Sequence, residues 1–159
     1  MAAPATAESL RALLDDVVDP EIPVLTIADL GILRSVAVDP NGGVVVTITP
    51  TYSGCPAMDL IRRQIESILE GAGYDRIEVR TVFSPAWTTD WMTAAAKDKL
   101  AAYGIAPPGP TALPERQPVL CPQCAAPSTK TVSEYGSTAC KALMVCEQCG
   151  EPFDYFKEI

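Results

Sequence analysis

Leu10, Leu13, Leu14 and Val17 recur at helical spacing, which predicts an opening helix. Thr6 can cap its start, and Pro20 blocks its continuation. Asp19-Pro20-Glu21-Ile22-Pro23 follows, and its two prolines predict a stiff, extended, acidic segment. Residues 32–38 and 44–49 are rich in β-branched side chains and flank Asp39-Pro40-Asn41-Gly42-Gly43, which has turn chemistry, so a hairpin is expected. Pro50-Thr51-Tyr52-Ser53-Gly54-Cys55-Pro56 reads as a short loop. Met58, Ile61, Ile65 and Ile68 form the apolar stripe of a second helix ending at Gly71 or Gly73. Residues 76–82 alternate like a third strand, Ser84-Pro85-Ala86-Trp87 is a loop, and Thr89 can cap a helix over about 90–103.

The pattern changes at Gly104. Pro107, Pro108, Gly109, Pro110, Pro114 and Pro118 lie in a stretch without periodicity, which reads as a semi-rigid linker. The expected organisation is a domain over 1–105, a linker over 106–118 and a cysteine-rich module over 119–159. A module of about forty residues cannot build a full core and needs a staple. The fold class is α+β: a small three-stranded mixed sheet packed with helices, followed by an all-β zinc ribbon.

The staple is legible. Cys121 and Cys124, then Cys146 and Cys149, form two C-x-x-C knuckles separated by 21 residues, close to the usual ribbon spacing. Four thiolates so placed make a closed tetrahedral zinc cage with no open position for a substrate. Cys140 is a fifth cysteine in the module, and the symmetry of the two knuckles leaves it out of the cage. Phe153, Tyr155 and Phe156 are expected to cover the cage.

Composition narrows the chemistry. Among 159 residues, 48% are hydrophobic, enough for a core, and no histidine occurs. The missing histidine excludes Ser-His and Cys-His catalysis and any His-ligated catalytic zinc. The formal net charge of −8 argues against nucleic acid and anionic membrane as partners, because both need Lys/Arg neutralisation, and favours protein partners. No basic stretch followed by an apolar run opens the sequence, and six cysteines without an export signal point to a reducing cytoplasm.

Two further places carry candidate chemistry. Cys55 precedes Pro56, which suits the first position of a helix, so its sulfur meets the unpaired amides of that helix and is expected to have a lowered pKa. Gly54 leaves room for close approach. A buried, inert cysteine is the competing reading, and spacing alone does not separate the two. In an extended segment Asp19 and Glu21 project to one side and could act as hard metal ligands or as a base, against the plainer reading of a solvated turn.

The runs Asp19-Pro20-Glu21-Ile22, Ile27-Ala28-Asp29-Leu30-Gly31-Ile32, Thr51 with Gly54-Cys55-Pro56, and Pro85-Ala86-Trp87-Thr88 resemble the SufT-type iron–sulfur assembly domain. The resemblance covers about 8–105. Gly136-Ser137-Thr138-Ala139-Cys140-Lys141 and Glu151-Pro152-Phe153-Asp154-Tyr155-Phe156-Lys157 resemble the tail of one subgroup, the D subunits of bacterial phenylacetyl-CoA epoxidase (phenylacetate oxygenase) systems.

The resemblance implies a non-catalytic accessory subunit in aerobic phenylacetate degradation. It would help load iron or iron–sulfur centres into the diiron oxygenase or the iron–sulfur flavin reductase. It implies Cys55 as the functional thiol, with Asp19, Glu21 and Thr51 as its polar neighbours. Such a carrier holds iron or a cluster transiently on one thiolate, shared across a homodimer or with a partner. The competing functions are a rubredoxin-like electron carrier with iron in the tail cage, a nucleic-acid-binding ribbon disfavoured by the charge, and a thiol–disulfide enzyme, for which the tail lacks a βαβ pattern.

Overall fold

The computed structural model describes residues 5–112, 115 and 117–159. Pro114 of the expected linker lies outside them. The chain forms two units that divide between Trp87 and Thr88.

In the first unit, helix α1 spans Ala7–Leu14. Thr6 and Ser9 form a reciprocal capping box at its start, and Asp15 ends it before the expected Val17. Val18 instead makes a single bridge to Thr26. Thr26 and Asp29 cap each other across a four-residue helix α2, Ile27–Leu30, which Gly31 terminates at φ 75°. Periodicity cannot reveal an element so short.

Strands β1 (Leu33–Val38) and β2 (Val44–Ile48) form the expected hairpin. The turn is held by Asp39, whose Oδ1 accepts the amides of Asn41 at 2.7 Å and Gly43 at 2.9 Å. Helix α3 runs over Ala57–Gly71 and returns the chain to β3 (Ile77–Thr81), parallel to β2. A parallel pair needs such a crossover, so the sheet is mixed, in the order β1-β2-β3.

The apolar stripe of α3 is shifted from the expected one. Ala57, Ile61, Ile65 and Leu69 are buried, whereas Met58 and Ile68 are half-buried. Leu10 and Leu14 of α1 and Val44, Val46 and Ile48 of β2 are also fully buried. Burying such side chains contributes about 1.5–3 kcal/mol each. Arg62 ties α3 to β3 by donating to the Val79 carbonyl at 3.2 Å and to Thr81 Oγ1 at 3.1 Å.

The second unit departs from the expected single helix over 90–103. A 3-10 turn, Thr89–Trp91, is capped by Thr88, and Met92 is extended. The helix proper, α4 (Ala94–Tyr103), starts from Thr93. Thr89 anchors the turn to the C-terminus: its amide donates to the Ile159 carbonyl at 3.0 Å.

Strand β4 (Ile105–Ala106) leaves α4 through Gly104 and pairs parallel with β7 (Pro152–Phe156). Helix α4 therefore belongs with the ribbon sheet, and residues expected at the start of the linker are strand. Strands β5 (Thr129–Ser133) and β6 (Lys141–Cys146) complete the sheet, in the order β4-β7-β6-β5.

Ala106, Cys121, Ala126, Met144, Cys146 and Phe153 make the core of this sheet, with Val119 and Tyr155 against it. Strand alternation puts Phe156 on the other face. Of the three aromatics expected over the cage, Phe153 and Tyr155 are on its side and Phe156 is not.

Candidate functional site

The tail builds its thiol cluster from two copies of one turn. The Cys121 and Cys146 carbonyls accept the amides of Ala125 at 2.8 Å and Gly150 at 3.0 Å. Their amides donate to the carbonyls of Ala126 at 3.0 Å and Glu151 at 2.9 Å. Each turn places one left-handed residue after its second cysteine: Ala125 at φ 60° and Gly150 at φ 78°. Amides also point at sulfur, from Gln123 to Cys121 Sγ and from Cys149 to Cys146 Sγ, both at 3.4 Å.

The sulfurs of Cys121, Cys124, Cys146 and Cys149 all lie within 4.8 Å of one another. Cys121 and Cys149 are 3.7 Å apart, and Cys124 and Cys146 3.6 Å. A zinc–sulfur bond of about 2.3 Å puts the corners of a regular tetrahedron about 3.8 Å apart, so the four thiols fit a zinc ion.

Crowding makes them titrate unequally. The Cys149 amide, with that of Gln148, brings the Cys146 thiol down to about 7 against the effect of burial. At Cys149 the Glu151 amide lowers the thiol's pKa, but burial and the neighbouring thiols prevail and push it up to about 12. A bound cation removes this mutual repulsion. Cys140 stands apart: it is buried, with Sγ 3.0 Å from Thr138 Oγ1.

In the first unit, Cys55 sits where β2 hands over to α3. Gly54 makes the approach at φ 79° with open space around it. Pro56 is the cap residue of α3 and supplies no side-chain bond. The Ala57 amide, and more weakly the side chains of Thr51 and Tyr52, favour the thiolate at Cys55 and pull its pKa down.

The expected lowering of the Cys55 pKa is not found. Burial raises it above the ordinary thiol value and the charge of Glu21 raises it further, and together these outweigh the Ala57, Thr51 and Tyr52 donors. Cys55 is half-buried, neither freely exposed nor sealed in the core.

The acidic segment is also not extended. It bends, with the Leu25 amide donating to the Ile22 carbonyl at 2.9 Å. Asp19 is 6% exposed. Its Oδ1 accepts the amides of Glu21 at 2.7 Å and Ile22 at 3.0 Å. Asp19 and Glu21 thus do different work: Asp19 holds the bend, and Glu21 acts on the sulfur. The fold gathers Cys55, Thr51 and Glu21, adds Tyr52, and uses Asp19 as a backbone clamp. The signal for Tyr52 is its place three residues before a thiol at the mouth of a helix.

The fold and sites define an α+β iron–sulfur assembly domain joined to a zinc ribbon. Residues 7–80 match the family model described as iron-sulfur cluster assembly protein, and residues 106–157 match the PaaD zinc beta ribbon domain. The chain belongs to the family of phenylacetyl-CoA epoxidase D subunits.

It is 48% identical to the putative 1,2-phenylacetyl-CoA epoxidase D subunit of Escherichia coli K12, over 98% of this chain and 94% of that one. An Fe-S protein maturation auxiliary factor of Porphyromonas gingivalis is 37% identical over 57% of this chain and 87% of its own length. The crystal structure of a domain of unknown function, DUF59, from Bacillus anthracis superposes with a TM-score of 0.55 at 33% identity, over 59% of this chain and 90% of that one.

Proposed function

We propose that the chain is an accessory maturation subunit of the phenylacetyl-CoA epoxidase system, serving assembly of metal centres rather than turnover. The observation that carries this reading is the near full-length match to a D-type epoxidase subunit, together with the match of the first half to maturation auxiliary factors. Cys55 is the cargo thiol. Ferrous iron or an iron–sulfur fragment is the cargo, passed to the diiron oxygenase or the iron–sulfur flavin reductase.

The site's chemistry supports transient holding. A single sulfur offers one bond where a closed cage offers four, so release is easy. A cation arriving beside Glu21 cancels the charge that keeps the thiol protonated, and the Ala57, Thr51 and Tyr52 donors then stabilise the thiolate. The remaining ligands come from the client or from a second copy of the chain.

The tail has another task. Cys121, Cys124, Cys146 and Cys149 hold zinc, which supplies folding energy to the ribbon that docks the client. No described helix is long and apolar enough to cross a membrane, and the reading puts the chain in the cytoplasm with its clients.

The test is Cys55→Ser in cells producing the whole system. The variant is expected to fold and retain zinc while the oxygenase or reductase emerges short of iron. Fully metallated clients beside the variant would remove the thiol from the reading.

A further inference from the structure

The second unit holds a cavity of about 700 Å³ beside the thiol cage. That volume suits a drug-sized ligand. Ala106 of β4 and Tyr155 of β7, paired across the sheet, line it together with Pro108, Leu120, Pro122 and Glu158. Its walls are fixed. Thr129 Oγ1 donates to the Val119 carbonyl at 2.7 Å and the Cys121 amide donates to the Ala126 carbonyl at 3.0 Å, which pins the segment on both sides of Leu120. Leu120 itself is 53% exposed. Glu158 Oε1 accepts the Tyr155 hydroxyl at 2.8 Å and the Gly109 amide at 3.2 Å, so its carboxylate is oriented before any ligand arrives. Two of the lining side chains are acidic, Glu115 and Glu158, and none of the described lining residues is Lys or Arg.

We propose that this cavity is where the ribbon docks its client, and that it takes a segment of the client protein in which two neighbouring apolar side chains are followed by Lys or Arg. This rests on the reading of the chain as a maturation subunit and names the chemistry of its contact. The apolar walls favour aliphatic and aromatic side chains by removing them from water. The oriented carboxylate of Glu158 attracts a cation, and the acidic lining repels an anion. A Lys or Arg suits the place because its apolar stem can lie along the wall while its charged head reaches the carboxylate. Pro107 and Pro108 follow directly on β4 and have no amide to donate. This edge therefore offers little to an added strand, and recognition falls to side chains.

The experiment uses the full, zinc-loaded chain, isotope-labelled for NMR, and two synthetic peptides, acetyl-Phe-Leu-Lys-amide and acetyl-Phe-Leu-Glu-amide, titrated to millimolar concentration. The peptides share their apolar part and differ in the sign of their charge. The Lys peptide is expected to give saturable shifts at the amides of Ala106, Leu120 and Tyr155 and to bind about tenfold more tightly than the Glu peptide. Glu158→Gln keeps an acceptor for Tyr155 and Gly109, so the fold should be retained while the preference disappears. Leu120→Ser, at an exposed position, should weaken both peptides. Equal binding of the two peptides, a preference that survives Glu158→Gln, undiminished binding to Leu120→Ser, or no saturable shift at these amides would overturn the proposal. Client iron beside Cys55→Ser is scored separately. Fully metallated clients would sink the maturation reading and leave the peptide preference standing, whereas a missing preference would sink the cavity proposal alone.

Discussion

The Trp87 indole N–H donates to the Leu30 carbonyl at 2.8 Å, joining two segments 57 residues apart in the first unit. Leu30 is the last residue of α2, so its carbonyl would otherwise be an unpaired helix end. Trp87 is 4% exposed, and no water replaces the bond at such a site.

Trp87→Phe should therefore cost about 1–3 kcal/mol from the orphaned carbonyl alone. Trp87→Ala, which also removes the ring, should cost about 3–5 kcal/mol. Urea unfolding read on the first unit checks both. Equal stability of Trp87→Phe and the wild type would show that the carbonyl finds another donor.

Asp19 offers a sharper contrast. Asp19→Asn keeps an acceptor for the amides of Glu21 and Ile22, whereas Asp19→Ala leaves both without it in a buried bend. Each unsatisfied amide costs about 1–3 kcal/mol. Asp19→Ala should be clearly less stable than Asp19→Asn in denaturant titrations. If the two behave alike, the carboxylate is not the clamp.

How much of this was legible in the chain follows from the range over which each signal acts. The hairpin, α3 and the four-thiol cage are written in local periodicity and spacing, and the structure has them. Helix α2 is also locally encoded, by Thr26 and Asp29, but one turn carries no period. The pairing of Ile105 and Ala106 with β7 depends on residues about fifty positions away, so a proline-rich stretch hid a strand. The helix after Cys55 predicts a lowered thiol pKa, and the fold raises it instead. The Ala57 amide does favour the thiolate, but burial and the charge of Glu21 come from the fold and outweigh it.

The ribbon's two turns predict opposite responses to similar changes. Ala125 holds a left-handed φ of 60° that costs an L-residue roughly 1–2 kcal/mol, and Gly150 holds φ 78° without that penalty. Ala125→Gly should stabilise the zinc-bound ribbon by up to about 1 kcal/mol, part of the gain being offset by the freer unfolded chain. Gly150→Ala should destabilise it by about 1 kcal/mol or more. The space around Gly150 is open, so that cost is purely conformational. Thermal melts of the two variants should move in opposite directions.

Metal content follows from the same cage. The protein as isolated should be colourless with one zinc per chain, and a strong chelator should melt strands β5, β6 and β7 while leaving the first unit folded. Cys121→Ser should mimic the chelator. A red protein with iron in the tail would restore electron transfer as its task.

The turn between β1 and β2 makes stability depend on acidity. The Gly43 and Asn41 amides hold the Asp39 carboxyl below the ordinary aspartate value of about 3.9. A group depressed in the fold contributes its stabilisation above its unfolded pKa and loses it as pH falls through the folded one. The wild type should therefore lose part of the hairpin's stability progressively below about pH 4. Asp39→Asn retains a neutral acceptor and should lack that component, so the gap between wild type and variant should narrow as the solution is acidified. Unfolding of the first unit across pH 3 to 7 measures it, and a gap independent of pH would place the titrating group elsewhere.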